Sequence, residues 1–140
     1  VKYALVVLLV CSGCGMPLGL NFQRSSLRAG GDWSTTISLE YEKAEFVEKQ
    51  KADIKKYASE LIDFLQTGQV AALPIAELEK LLKSKVPQEF YLVVDAALGY
   101  VESQQINVSA GIGKDNVKRI IAYLRGAING AEKYDLKDRE

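Results

Sequence analysis

The sequence predicts an α+β domain, mostly α, in which an N-terminal β-hairpin packs on about four amphipathic helices. Two observations carry that prediction. Apolar and polar residues alternate with period two across residues 33–42, and a helical period replaces that alternation from Lys43 onward. Composition agrees with a folded body: 48% of the residues are apolar and 26% are charged, close to the globular average. With 140 residues the chain has room for a single core but not two.

The hairpin is placed at 20–42. Trp33, Thr35, Ile37, Leu39 and Tyr41 alternate with Ser34, Thr36, Ser38, Glu40 and Glu42, the pattern of a half-buried strand. Residues 20–28 alternate less cleanly, and Ala29-Gly30-Gly31-Asp32 between them is turn chemistry. A hairpin alone is marginal in water, so the face of Trp33, Ile37 and Tyr41 is expected to pack on the helices. Placement of the two aromatic rings at a membrane interface is the other reading.

Four helices follow, at about 43–66, 74–85, 87–104 and 115–134, completing a single domain over 20–134. Val47, Ile54, Ala58, Leu61, Ile62 and Leu65 share one face of the first, which Gly68 ends. Pro74 and Pro87 stand where the next two would begin. Ile75, Leu78, Leu81 and Leu82 line the second helix; Phe90, Val94, Ala97, Leu98 and Val101 line the third. The last carries Val117, Ile120, Ile121, Leu124, Ile128 and Ala131, with Asp115 as its expected N-cap. Two glycines on that helix, Gly126 and Gly130, each cost helix stability and so predict close approach of another backbone. The small residues Ala96, Ala97 and Gly99 of the third helix are the expected partners. Residues 135–140 form a polar tail, and the chain is expected to fray from Glu132.

The N-terminus speaks to location. Lys2 precedes an unbroken apolar run over residues 3–10, followed by Ser12, Gly13 and Cys14. The segment Val10-Cys11-Ser12-Gly13-Cys14 resembles the lipobox of bacterial lipoproteins, with Cys11 where that family usually carries leucine. The resemblance implies that residues 1–13 are a signal peptide, and that Cys14 is the lipidation site, acylated with palmitate-type chains. Residues 14–19 are then the lipidated cysteine and a short tether, and the protein is exported and membrane-anchored in the cell envelope. Gly15, where aspartate would retain a lipoprotein at the inner membrane, implies the outer membrane in a cell that has one. Two or three acyl chains anchor firmly where one does not. Residues 15–19 reach only about 17 Å when fully extended, which would keep the domain close to the bilayer.

Taken by themselves, the same residues leave three other readings open. Residues 3–22 contain no charge, about the length of an uncleaved anchor. Cys11-Ser12-Gly13-Cys14 has the spacing of a redox pair. The apolar run could also be an ordinary buried strand.

Charge and composition narrow the chemistry. Lysine plus arginine equals aspartate plus glutamate at 18 each, without the excess of cations usual in a nucleic-acid binder. There is no histidine, so the commonest general base and metal ligand are both missing. Gly111-Ile112-Gly113-Lys114 lacks the glycine spacing of a phosphate loop, and Asp115 stands where it needs Ser or Thr. Paired carboxylates could serve a glycosidase, and Asp95 with Glu102, or Asp53 with Asp63, are the pairs available. Ser59, Ser84 and Ser109 could act only with a lysine. No catalytic, metal or cofactor site is expected. The expected role is that of a small, non-catalytic envelope lipoprotein, attached to the membrane by lipid on Cys14 and binding a protein partner or the adjacent membrane face, with no nucleic-acid partner. The alternatives are an envelope enzyme using carboxylates and a Cys-x-x-Cys redox protein with an uncleaved N-terminus.

Overall fold

Leu27, Gly31, Thr35 and Leu39 recur every fourth residue, and this spacing, not the alternation, decides the N-terminal segment. In the computed structural model, which describes residues 20–104 and 110–139, these four are the buried stripe of a helix, α1, spanning Leu20–Glu40. No strand occurs among the described residues. The fold is therefore all-α, and the α+β prediction with its hairpin at 20–42 is corrected. The expected signal peptide at 1–13, Cys14, the tether through residue 19, and Ser109 lie outside the described residues.

The correction has a physical cause. The alternation assigned Trp33 and Tyr41 to the core, yet they are 42% and 69% exposed. What α1 buries is small: Gly30, Gly31 and Thr35, flanked by Leu27 and Leu39. Hydroxyl residues sit comfortably here because Thr36 Oγ1 donates to the Asp32 carbonyl, 2.9 Å, and Ser34 Oγ donates to that of Gly30.

After a short turn the chain reverses into α2, Ala44–Thr67, which buries Val47, Ile54, Ala58, Leu61, Ile62 and Leu65. Gly68 closes it, its N–H donating to the Phe64 carbonyl at 2.8 Å. A 3₁₀ turn, Val70–Ala72, leads to α3, Ile75–Ser84, with Pro74 in the capping position. Leu81, assigned to the α3 core face by its spacing, is 39% exposed. A second 3₁₀ turn, Gln88–Phe90, runs into α4, Tyr91–Gln104.

The last helix, α5, spans Lys114–Lys133 and is the axis of the domain. Ile120 through Leu124, Gly126, Ala127, Gly130 and Ala131 are all buried, because α1, α2 and α4 pack around it. Its N-cap is Gly113, at φ +83°, rather than Asp115; Asp115 lies in the first turn, where a negative charge suits the helix dipole.

Gly126 and Gly130 do meet another backbone, but its owner is α1 and not α4. A Cβ on Gly126 would lie 2.9 Å from the Asp32 nitrogen, and one on Gly130 would strike the Asp32 carbonyl. Gly31 answers from the other side, where a Cβ would lie 2.9 Å from the Ala127 nitrogen. Gly99, the expected partner on α4, has open space around it. Gln23 accepts from Arg119 at 2.8 Å and Asp32 pairs with Lys133 at 2.6 Å, so residue numbers rise together and α1 and α5 run parallel. Lys51, early in α2, reaches the Tyr134 carbonyl just past the end of α5, at 2.7 Å, so α2 is antiparallel to both.

Residues 134–139 return to this bundle instead of fraying. Tyr134 is buried, and its hydroxyl donates to Glu40 at 2.8 Å while accepting from Arg139 at 2.6 Å. Arg139 also donates to the carbonyls of Leu39 and Glu42, at 2.7 Å for the second. The Leu39 carbonyl also accepts from the Glu42 N–H at 3.1 Å, so Arg139 reinforces the turn that ends α1.

Candidate functional site

Where α1 and α4 diverge above α5 they leave a groove of about 250 Å³. α1 contributes Ser34 and Ser38 to one wall, Glu42 of the turn after α1 continues it, and Thr35 and Leu39 lie beneath them. The facing wall comes from the second 3₁₀ turn and α4: Glu89, Phe90, Leu92, Val93 and Ala96. Gln50 and Ile54 of α2 close one end, and Tyr123 of α5 lies at the base. Leu92 is 52% exposed at the rim.

The polar groups of the groove are organised. The Tyr123 hydroxyl is 3.0 Å from Ser34 Oγ. Gln50 Nε2 donates to Glu42 Oε2 at 3.1 Å, and the other Glu42 oxygen accepts from the Lys43 N–H at 3.0 Å. Both ionisable carboxylates of the lining, Glu42 and Glu89, are acidic, and no lysine or arginine lines it. The lining mixes the apolar side chains of Leu39, Ile54, Phe90, Leu92 and Val93 with the hydroxyls of Ser34, Thr35, Ser38 and Tyr123.

Burial pushes the Tyr123 phenol above its usual range, while the Ser34 hydrogen bond acts the other way. A folded-state pKa above the unfolded value of about 10 means that the folded chain holds the proton longer. Stability is full below about pH 10 and is lost as pH rises through the folded value. Tyr123→Phe is expected to flatten this alkaline loss. Melting temperatures of parent and variant between about pH 9 and about pH 11 check it, and parallel curves would refute it.

The residues singled out from sequence fall elsewhere. Asp95 and Glu102 of α4 do not line the groove; Asp95 pairs with Lys83 of α3 at 2.7 Å, and Lys83 also holds Glu79 at 2.8 Å. Those two hydrogen bonds keep the lysine well above its ordinary range. The Glu102 carboxyl is pushed up, first by partial burial and then by the nearby charges of Glu79 and Asp95. Asp63, Ser59 and Ser84 are exposed, Asp53 is half-buried, and Ser84 Oγ is spent on the Leu81 carbonyl at 2.6 Å. No three His, Cys, Asp or Glu side chains gather as a metal site among the described residues.

Gly111 to Gly113 is a strap on the first 3₁₀ turn. Ile112 N–H donates to Leu73 O at 3.0 Å and Gly113 N–H to Ala71 O at 2.9 Å. Gly111 has no room for a side chain against Ala71 and Ala72. The groove is hidden in the sequence because its α1 wall reads as a strand; the signal for it is the fourfold spacing of Ser34 and Ser38, which Glu42 continues into the turn.

Comparison with protein-family models, with curated proteins and with solved structures returns no match to this chain.

Proposed function

We propose that this chain is a lipid-anchored binding protein of the bacterial cell envelope, held to the membrane through Cys14 and engaging a polypeptide partner in the groove between α1 and α4. The role is binding rather than catalysis. The observation that carries the binding half is the groove itself, with Leu39, Phe90, Leu92 and Val93 in its lining and with Glu42 and Glu89 at its rim. A partner segment with an apolar anchor beside lysine or arginine matches both features. The anchoring half rests on the lipobox-like residues 10–14, with Gly15 favouring the outer membrane of a cell that has one. No helix among the described residues is long and apolar enough to cross a membrane.

Expression of the full chain in a bacterium, followed by intact-mass analysis, tests the anchor. The expected mature protein begins at Cys14 and carries a diacylglyceryl group, and Cys14→Ser moves the protein out of the membrane fraction. A parent protein that keeps residues 1–13 with an unmodified Cys14 overturns the reading. For the groove, a panel of basic peptides with a single leucine or phenylalanine is expected to bind the parent. Ala96→Trp, which fills the cleft, is expected to lose at least about tenfold in affinity, equivalent to about 1.4 kcal/mol.

A further inference from the structure

The even charge balance of the whole chain conceals a segregation in space. No acidic residue occurs before Asp32, which is itself paired with Lys133 at 2.6 Å. The first turns of α1 therefore bring only cations, Arg24 and Arg28. The matching stretch of α5, residues 114–125, brings Lys114, Lys118, Arg119 and Arg125 against the single acid Asp115. Because α1 and α5 run parallel, these two stretches lie side by side rather than at opposite ends of the domain.

Their placement is specific. With the Asn129 amide turned to present its oxygen, Arg28 donates to it at 2.9 and 3.0 Å, which sets the arginine beside α5. Lys114, Lys118 and Arg125 fall on one stripe of α5 by helical spacing. These three and Arg28 are all exposed. Arg119 is committed to Gln23 and Asn116. The antiparallel α2 brings the exposed acids Glu60 and Asp63 toward the same end, and the cations still outnumber the acids.

We infer that this basic face along the first halves of α1 and α5 docks on anionic phospholipid headgroups. Two features select a bilayer as the occupant. The charge is complementary, and Leu20 at the start of this face follows Cys14 by only six positions, so an acyl anchor there delivers this end of the domain to the headgroup layer. The inference rests on the anchoring reading for its geometry. Its electrostatics can be measured separately.

The test uses the full chain purified from membranes and two vesicle compositions, pure phosphatidylcholine and the same lipid with one third phosphatidylglycerol. Partition into the neutral vesicles reports the N-terminal anchor alone. The parent is expected to favour anionic vesicles by about tenfold or more at low salt, and to lose that preference as salt rises. The variant Arg24→Gln, Lys114→Gln, Lys118→Gln, Arg125→Gln is expected to keep its melting temperature and its partition into neutral vesicles while losing the anionic preference. Equal partition of the parent into both vesicles overturns the inference, as does a quadruple variant that retains the preference. Displacement from anionic vesicles by an equal charge of duplex DNA would assign an undirected attraction to polyanions and overturn it as well. An unacylated Cys14 would instead overturn the anchor, and mass analysis of the same sample reads that independently.

Discussion

Alanine at Gly31 is expected to lower the melting temperature by roughly 10 °C, whereas alanine at the adjacent Gly30 is expected to raise it by a few degrees. The same chemical change takes opposite signs because of what surrounds each Cβ. At Gly30 nothing lies within 4 Å, so alanine brings only its helix propensity, about 0.5–1 kcal/mol better than glycine in a helix interior. At Gly31 the new carbon would meet the backbone of α5, at the Tyr123 carbonyl and 2.9 Å from the Ala127 nitrogen. Backbone cannot turn aside as a side-chain tip can, so the two helices must separate. Overpacking of this kind costs about 1–3 kcal/mol. Leucine at Gly126, against Arg28 and Asp32, is expected to be at least as damaging. Thermal denaturation of the single variants checks the pair, and a Gly31→Ala protein that melts with the parent would mean that α1 and α5 are not in backbone contact.

Those glycines also show which parts of the fold were legible in the sequence. The buried face of α2 was plain because Ile54, Leu61, Ile62 and Leu65 are large and recur at helical spacing. The α1 face was not, because burial there is done by Gly31 and Thr35, which count for little in any reading of apolar pattern. The large residues Trp33, Ile37 and Tyr41 instead alternate by accident of spacing, and the two aromatic rings are exposed. Gly30-Gly31 then read as a turn, since paired glycines usually serve loops, although here close packing is the use of the second. The demand of Gly126 and Gly130 for a neighbouring backbone was legible, but not the identity of the neighbour. With α1 read as a strand, the small residues Ala96, Ala97 and Gly99 make α4 the expected neighbour.

The candidate site is hidden for the same reason, since one wall of the groove is the Ser34 and Ser38 edge of α1 with Glu42 of the turn that follows. Composition hid the basic face in a different way. A net charge of zero sums over the chain, while a partner meets only what the topology brings together. Parallel packing of two helices that have α2, α3 and α4 between them in sequence sets Arg24 and Arg28 beside Lys118 and Arg125, and no local pattern announces it.

Deleting residues 134–140 is expected to destabilise the domain by about 3–5 kcal/mol, the usual cost of removing a large buried aromatic side chain. Tyr134 is that side chain, and it does not act alone. Its hydroxyl links Glu40 of α1 to Arg139, its carbonyl accepts from Lys51 of α2, and Arg139 caps the Leu39 and Glu42 carbonyls where α1 gives way to α2. Arg139→Ala alone should cost about 1.5–3 kcal/mol, the range for hydrogen bonds to a charged group. The clasp also touches the groove, because the Glu42 whose backbone Arg139 holds has its side chain at the rim. Arg139→Ala is therefore expected to speed amide exchange at residues 41–43 and to weaken binding of the basic peptides, while leaving partition into anionic vesicles unchanged. A truncated chain that melts within about 2 °C of the parent would show instead that this end of the chain carries no part of the core.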